Sequence, residues 1–167
     1  PPPPPVIQTG TTQVPAIDSG TYQVGSAWGF RGLSVVQWRY GSNRENRGAW
    51  FYGNGPTQLA GRTITAFAMK VPARQRIGNY NDPLTLHVYL TNNRTRPGGD
   101  VNRVAGPHDI VLSPNSPGGW VFLPTAWGQA LADGGGGLGI AGAPYIGLNG
   151  LDVDPQSGLL SFDWRRS

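Results

Sequence analysis

Two histidines, nine carboxylates and no cysteine are the whole catalytic inventory of this 167-residue chain beyond its hydroxyls. Glycoside hydrolysis needs two carboxyl groups roughly 5–10 Å apart, one of them tuned upward. The single glutamate, Glu45, stands in a polar turn beside Arg44 and Arg47, placed for ion pairing and not for proton donation. Asp18, Asp82, Asp100, Asp133, Asp152 and Asp154 fall at turn-like positions, where aspartate ordinarily caps the turn. His87 lies in an alternating stretch and His108 in Gly-Pro-His-Asp, and no Gly-x-Ser-x-Gly elbow presents a serine to either. Two separated histidines without thiolates make a poor zinc site. Asp152-Val-Asp154 offers oxygens to Ca²⁺, but no closing glutamate follows, and a solvated turn accounts for it. The glycine run 134–137 lacks the Lys and Ser or Thr of a phosphate-cradling loop. These residues predict no enzyme, no catalytic residue, no metal and no cofactor, which leaves binding.

The charge pattern narrows the partner. The net charge is +4, from twelve Arg and Lys70, but the cations are scattered and form no block that a phosphate backbone would select. No nucleic acid is expected. No apolar run approaches 18 residues, so no membrane insertion is expected, and the N-terminus lacks a signal layout.

Gly 26 and Pro 16 make a quarter of the chain, yet six Trp, six Tyr and five Phe are spread along it. Disordered chains lack such aromatic load, so the composition reads as a folded β-domain with many turns. Residues 1–20, opening on five prolines, read as an extended spacer with no sheet position, leaving 21–167 as the domain. Period-2 patterns predict strands at 21–28, 33–40, 49–52, 62–71, 84–90, 109–112, 119–123, 138–141 and 159–164. The cluster Gly41–Gly48 reads as a turn, and Thr125–Ala132 as one short helix with Thr125 as N-cap and Gly134 as stop, plugging one end with Trp127 and Leu131. Phe67, Leu86, Val88, Trp120, Phe122, Phe162 and Trp164 are the expected core, with Trp38 packed as well. The fold class is all-β, an antiparallel two-sheet β-sandwich of jelly-roll type with about eight strands and one helix.

Several ordered blocks carry a likeness. Val36-Gln-Trp-Arg-Tyr-Gly, Asn46-Arg-Gly-Ala-Trp-Phe-Tyr-Gly53, Leu59-Ala-Gly-Arg-Thr-Ile64, the stretch Gly118–Ala132 and the closing Ser157–Arg166 resemble the C-terminal domains of minor tail proteins from phages of actinobacteria. The resemblance covers about residues 20–166. It implies a jelly-roll tip domain of a tail fibre, located on the virion, forming a homotrimer with other tail proteins nearby and meeting the host envelope.

Sugars are gripped by aromatic faces and planar polar side chains. Outside the expected core these are His87 and Tyr89 on one strand face, Gln37 and Arg39 on another, and Tyr80 in Asn79-Tyr-Asn-Asp82. Arg39, Tyr80, His87 and Tyr89 are therefore the predicted ligand-binding residues, toward a host cell-wall glycan or surface receptor. Two other functions fit the same residues. One is a fibre-assembly or decoration module whose outward aromatics meet neighbouring subunits. The other is a carbohydrate-binding module tethered by the proline spacer to a secreted hydrolase. Fold alone does not choose among them.

Overall fold

The computed structural model of the chain describes residues 2–4, 6–39 and 45–166. Tyr40, the first four residues of the expected turn (41–44), and Pro1 and Pro5 of the proline run lie outside the described residues.

Eleven strands are present among the described residues: β1 (Gln8–Val14), β2 (Asp18–Gln23), β3 (Val35–Trp38), β4 (Asn46–Phe51), β5 (Thr63–Val71), β6 (Leu84–Thr91), β7 (Arg103–Leu112), β8 (Gly119–Phe122), β9 (Gly137–Ile140), β10 (Ile146–Leu148) and β11 (Leu160–Arg166). A 3₁₀ turn at Pro56–Leu59 and one helix, α1 (Thr125–Gly134), complete the elements. The smaller sheet runs β1-β11-β5-β8; the larger runs β10-β3-β4-β9-β6-β7, with β2 on the other side of β4. All pairings are antiparallel. With β2, β3 and β10 set aside, the strand orders β1-β11-β5-β8 and β4-β9-β6-β7 place each strand in the slot of its chain neighbour in the other sheet. That is the wrapping of a jelly roll, so the predicted class holds.

The core fills the space between the sheets. Trp50, Phe67, Met69, Leu86, Val88, Leu138, Ile140, Leu160 and Phe162 are all buried there. Phe67 and Phe162 pack with ring centroids 4.9 Å apart. The large polar-tipped rings keep their partners: Trp50 Nε1 donates to Ser157 Oγ at 2.9 Å, and Tyr52 Oη donates to Gly158 O at 2.6 Å. Gly158 has φ 73°, and a Cβ there would collide with the Trp50 indole, so glycine is required on both counts. Trp127 and Leu131 of α1 are buried at one end of the sandwich, as the sequence predicts.

Five expectations need correction. The stretch 1–20 does hold sheet positions: β1 pairs with β11 from Gln8↔Arg166 to Val14↔Leu160, and β2 begins at Asp18. An edge strand with a solvated face shows no apolar alternation, and only Val14 of β1 is buried, so Thr-rich β-propensity was the sole signal. Trp120 and Phe122 face solvent, 44% and 75% exposed. Val121 pairs with buried Met69 and Leu123 is buried, so the sheet chose the Val–Leu face of β8 and turned the two rings outward. Trp164 is only half-buried at the core margin, past a bulge at Asp163/Trp164, with Nε1 donating to Thr12 Oγ1 at 3.0 Å. Thr125 opens α1 without a side-chain cap, and the helix includes Gly134; Gly135, φ 75°, terminates it through N–H donation to Leu131 O at 2.9 Å. β10 was absent from the sequence reading because its three residues are all buried and show no alternation.

The register correction is measurable. Phe162→Ala is expected to cost about 3–5 kcal/mol in urea unfolding, the range for deleting a packed ring. Trp120→Ala, in dilute solution, is expected to cost less than about 1 kcal/mol, as for an exposed position.

Candidate functional site

One buried carboxamide organises the most promising surface. Gln37 of β3 was expected to point outward, but it is fully buried. Its Nε2 donates to Thr85 O and Pro144 O, each at 3.0 Å, and its Oε1 accepts the His87 N–H at 3.0 Å. β3 makes ladder pairs with β4 and β10, and the amide replaces the missing ladder between β3 and β6. Both donors and the acceptor are used, which a buried amide requires.

The next residue, Trp38, is half-buried and lines a cleft of 160 Å³ with Tyr145, Pro144, Leu84, Gly78 and Asn79. Trp38 and Tyr145 meet edge to face. Gly78 has φ 60°, and a Cβ there would approach Tyr145 O to 3.1 Å, so the wall closes against Tyr145 only with glycine. The wall 79–82 is held from behind by buried Arg74. Its Nη1 donates to Asp82 O at 2.6 Å and Ser113 O at 3.0 Å, and its Nη2 to Asn79 O at 2.8 Å. Burial lowers the Arg74 pKa from the ordinary guanidinium value, and the charge of Asp82 partly offsets it; the group remains a cation.

None of the four predicted residues is part of the lining of this cleft, though Arg39 and Tyr80 are chain neighbours of lining residues. Arg39 follows Trp38, is exposed, and pairs with Glu45 at 3.3 Å. Tyr80 follows Asn79 and accepts the Asn115 N–H through its backbone carbonyl at 2.9 Å. His87 contacts Asp109 Oδ1 through Nδ1 at 2.6 Å and Ala143 O through Nε2 at 2.7 Å, tying down the loop that carries Pro144 and Tyr145. Tyr89 lies elsewhere, with the Arg103 guanidinium 5.9 Å from its ring centre. The sequence reading thus named neighbours of the cleft and missed its lining. Trp38 was counted as core because it alternates with Val36. Tyr145 carried one usable signal, an aromatic after proline in a glycine-rich loop.

The charges around Asp100 are engaged in pairing. Asp100 accepts from Arg103 Nη2 at 2.6 Å and from Arg47, and Arg47 also meets Glu45. Burial pushes the Asp100 carboxyl up, but hydrogen bonds from Arg103 and Arg47 outweigh it and hold its pKa below the usual 3.8. Burial likewise opposes charge on Arg47, and Asp100 with Glu45 more than restores it. A carboxyl held this way is a poor general acid. The His87–Asp109 contact resembles two members of a triad, yet the second ring nitrogen faces a backbone carbonyl and no nucleophile. Asp154 Oδ1 accepts the Gln156 N–H at 2.9 Å, the turn cap anticipated for it. Among the described residues no three His, Asp or Glu side chains converge on a metal-sized site.

Gln37→Leu is expected to cost about 2–3 kcal/mol in chemical unfolding, because it leaves the His87 N–H and two carbonyls unpaired. Asp100 makes the acid limb testable. Its folded pKa lies below its unfolded value, so its contribution is present above about pH 4 and fades as pH falls further. The stability gap between the parent chain and Asp100→Asn should therefore be constant from pH 7 to about pH 4 and narrow below it.

No protein-family model matches the chain, and no curated protein matches it.

Proposed function

We propose that the chain is a non-enzymatic domain of a phage tail fibre that binds a glycan of the actinobacterial cell envelope in the Trp38–Tyr145 cleft, without cleaving it. The observation that carries this reading is the aromatic pair Trp38 and Tyr145 lining one cleft together with Asn79. Aromatic rings offer apolar faces to the C–H side of a sugar, and planar amides and guanidinium groups pair with its hydroxyls. At 160 Å³ the cleft is below the roughly 300–1,000 Å³ of sites that enclose a whole small molecule, which suits one unit of a longer polymer. The pairing of Asp100, Glu45 and His87 favours binding over acid–base chemistry. The tail location rests on the sequence resemblance alone. A single site of this size binds weakly, ~1 mM, and several domains on one fibre recover strength through effective concentration.

Titration of fluorescently labelled chain onto actinobacterial cells and purified wall glycan tests the proposal. Trp38→Ala and Tyr145→Ala, each retaining the β spectrum, are expected to weaken binding about tenfold or more. Tyr89→Ala should change it less than about twofold. Binding that survives both cleft substitutions removes the cleft from the reading, and absence of binding to every envelope fraction removes the glycan.

A further inference from the structure

The two sheets end on the same flank in unpartnered edges. β8 closes one end of the smaller sheet, and β7, joined to it through 113–118, closes the matching end of the larger. Between them runs a groove of 230 Å³ whose apolar wall includes Val71, Ile110, Val111, Trp120 and Val121. Beside the groove Phe122 stands 75% exposed, with Val111 at 70%. Trp120 and Phe122 alone leave roughly 250 Å² of aromatic surface in water, taking 150–250 Å² as the full burial of such rings. These two rings alone come just short of the roughly 300–600 Å² that the largest patch of a monomer covers, and supply about a third of the ~800 Å² each partner gives to a stable interface.

Edge strands of monomers are usually blunted by charge or proline. Here the sequence has no Asp, Glu, Lys or Arg from Ile110 to Ala132, so β8 and the end of β7 carry no charge, and proline stands only at their borders, at Pro114, Pro117 and Pro124. Lys70, opposite Trp120, hydrogen-bonds the neutral Gln156 amide and keeps its charge, and Asp109, half exposed, meets His87. Along 110–132 itself a charged partner finds no group of opposite sign. Two copies of a +4 chain, by contrast, meet at least electrostatic cost where neither presents charge. The flank also holds a projection and a recess together, which is what a self-complementary contact needs.

We infer that the β7–β8 flank is a docking surface for a second copy of this chain, with Phe122 of one copy seated in the groove between Val111 and Trp120 of the other. The inference does not depend on the glycan reading. Sedimentation equilibrium of the chain over a wide concentration range tests it. The parent chain is expected to exceed one-chain mass, and Phe122→Glu to raise the dissociation constant about tenfold or more, with an unchanged unfolding midpoint at dilutions where both are single chains, since the ring is exposed in one copy. Trp38→Ala, which addresses the cleft, should associate like the parent, so the two readings fail separately. One-chain mass throughout, or equal association by Phe122→Glu, overturns the inference. Loss of association on deleting residues 1–7, with exposed Val6 and Ile7, while Phe122→Glu still associates, would overturn it in favour of the N-terminal segment as occupant.

Discussion

A side-chain amide doing the work of a peptide group is the contact on which the functional face depends. β3 pairs with β10 and β4 and shares no backbone ladder with β6. Gln37 carries the same donor and acceptor types as a backbone unit, and it completes the sheet by bonding Thr85 O and the His87 N–H. On the other side the Thr21 hydroxyl accepts the Val36 N–H at 2.9 Å and donates to Ser34 O at 2.8 Å. β3 is thus fastened by side chains in addition to its backbone ladders with β4 and β10. The same amide reaches Pro144 O, so the position of Trp38 and of the loop facing it is set by one residue.

The two outer faces of the sandwich differ in kind. Over the larger sheet the 92–102 segment folds back, and Val101 joins Ala49, Phe51 and Trp28 in a second small apolar cluster. Arg96 clamps this cover by bonding Asp18 and Ser19 O while its guanidinium lies 5.1 Å from the Trp28 ring centre. Charges cluster here around Asp100, partly shielded from water, where ion pairs count for more than on an open surface. The smaller sheet has no such cover: its outer face shows Thr9, Thr11, Asp163 and Arg165, then the Trp120–Phe122 edge.

The sequence was most legible where burial is one-sided. Leu84–Leu90 alternates because β6 has one face in the core, and its register follows directly. Gly119–Leu123 was ambiguous for the opposite reason: both faces are apolar, Trp and Phe against Val and Leu, and only pairing with Met69 decides between them. Gln37 reads as a polar outward residue in any alternation, because nothing local announces a missing ladder that it will replace. The cleft lining was not legible. Arg39, Tyr80 and His87 stand out in the sequence by polarity and are not part of the lining, whereas Trp38, Tyr145 and Asn79 come from three segments far apart in the chain. Such convergence is a property of topology, and periodicity carries no record of it.

The Arg74 cage has a consequence for the conditions under which the domain keeps its shape. Three backbone carbonyls, from Asn79, Asp82 and Ser113, turn toward one cation in the way loops gather around a bound calcium ion. Here the cation is covalently part of the chain. It cannot be diluted away, chelated or exchanged, so this support of the cleft wall comes from the polypeptide itself and needs no divalent ion.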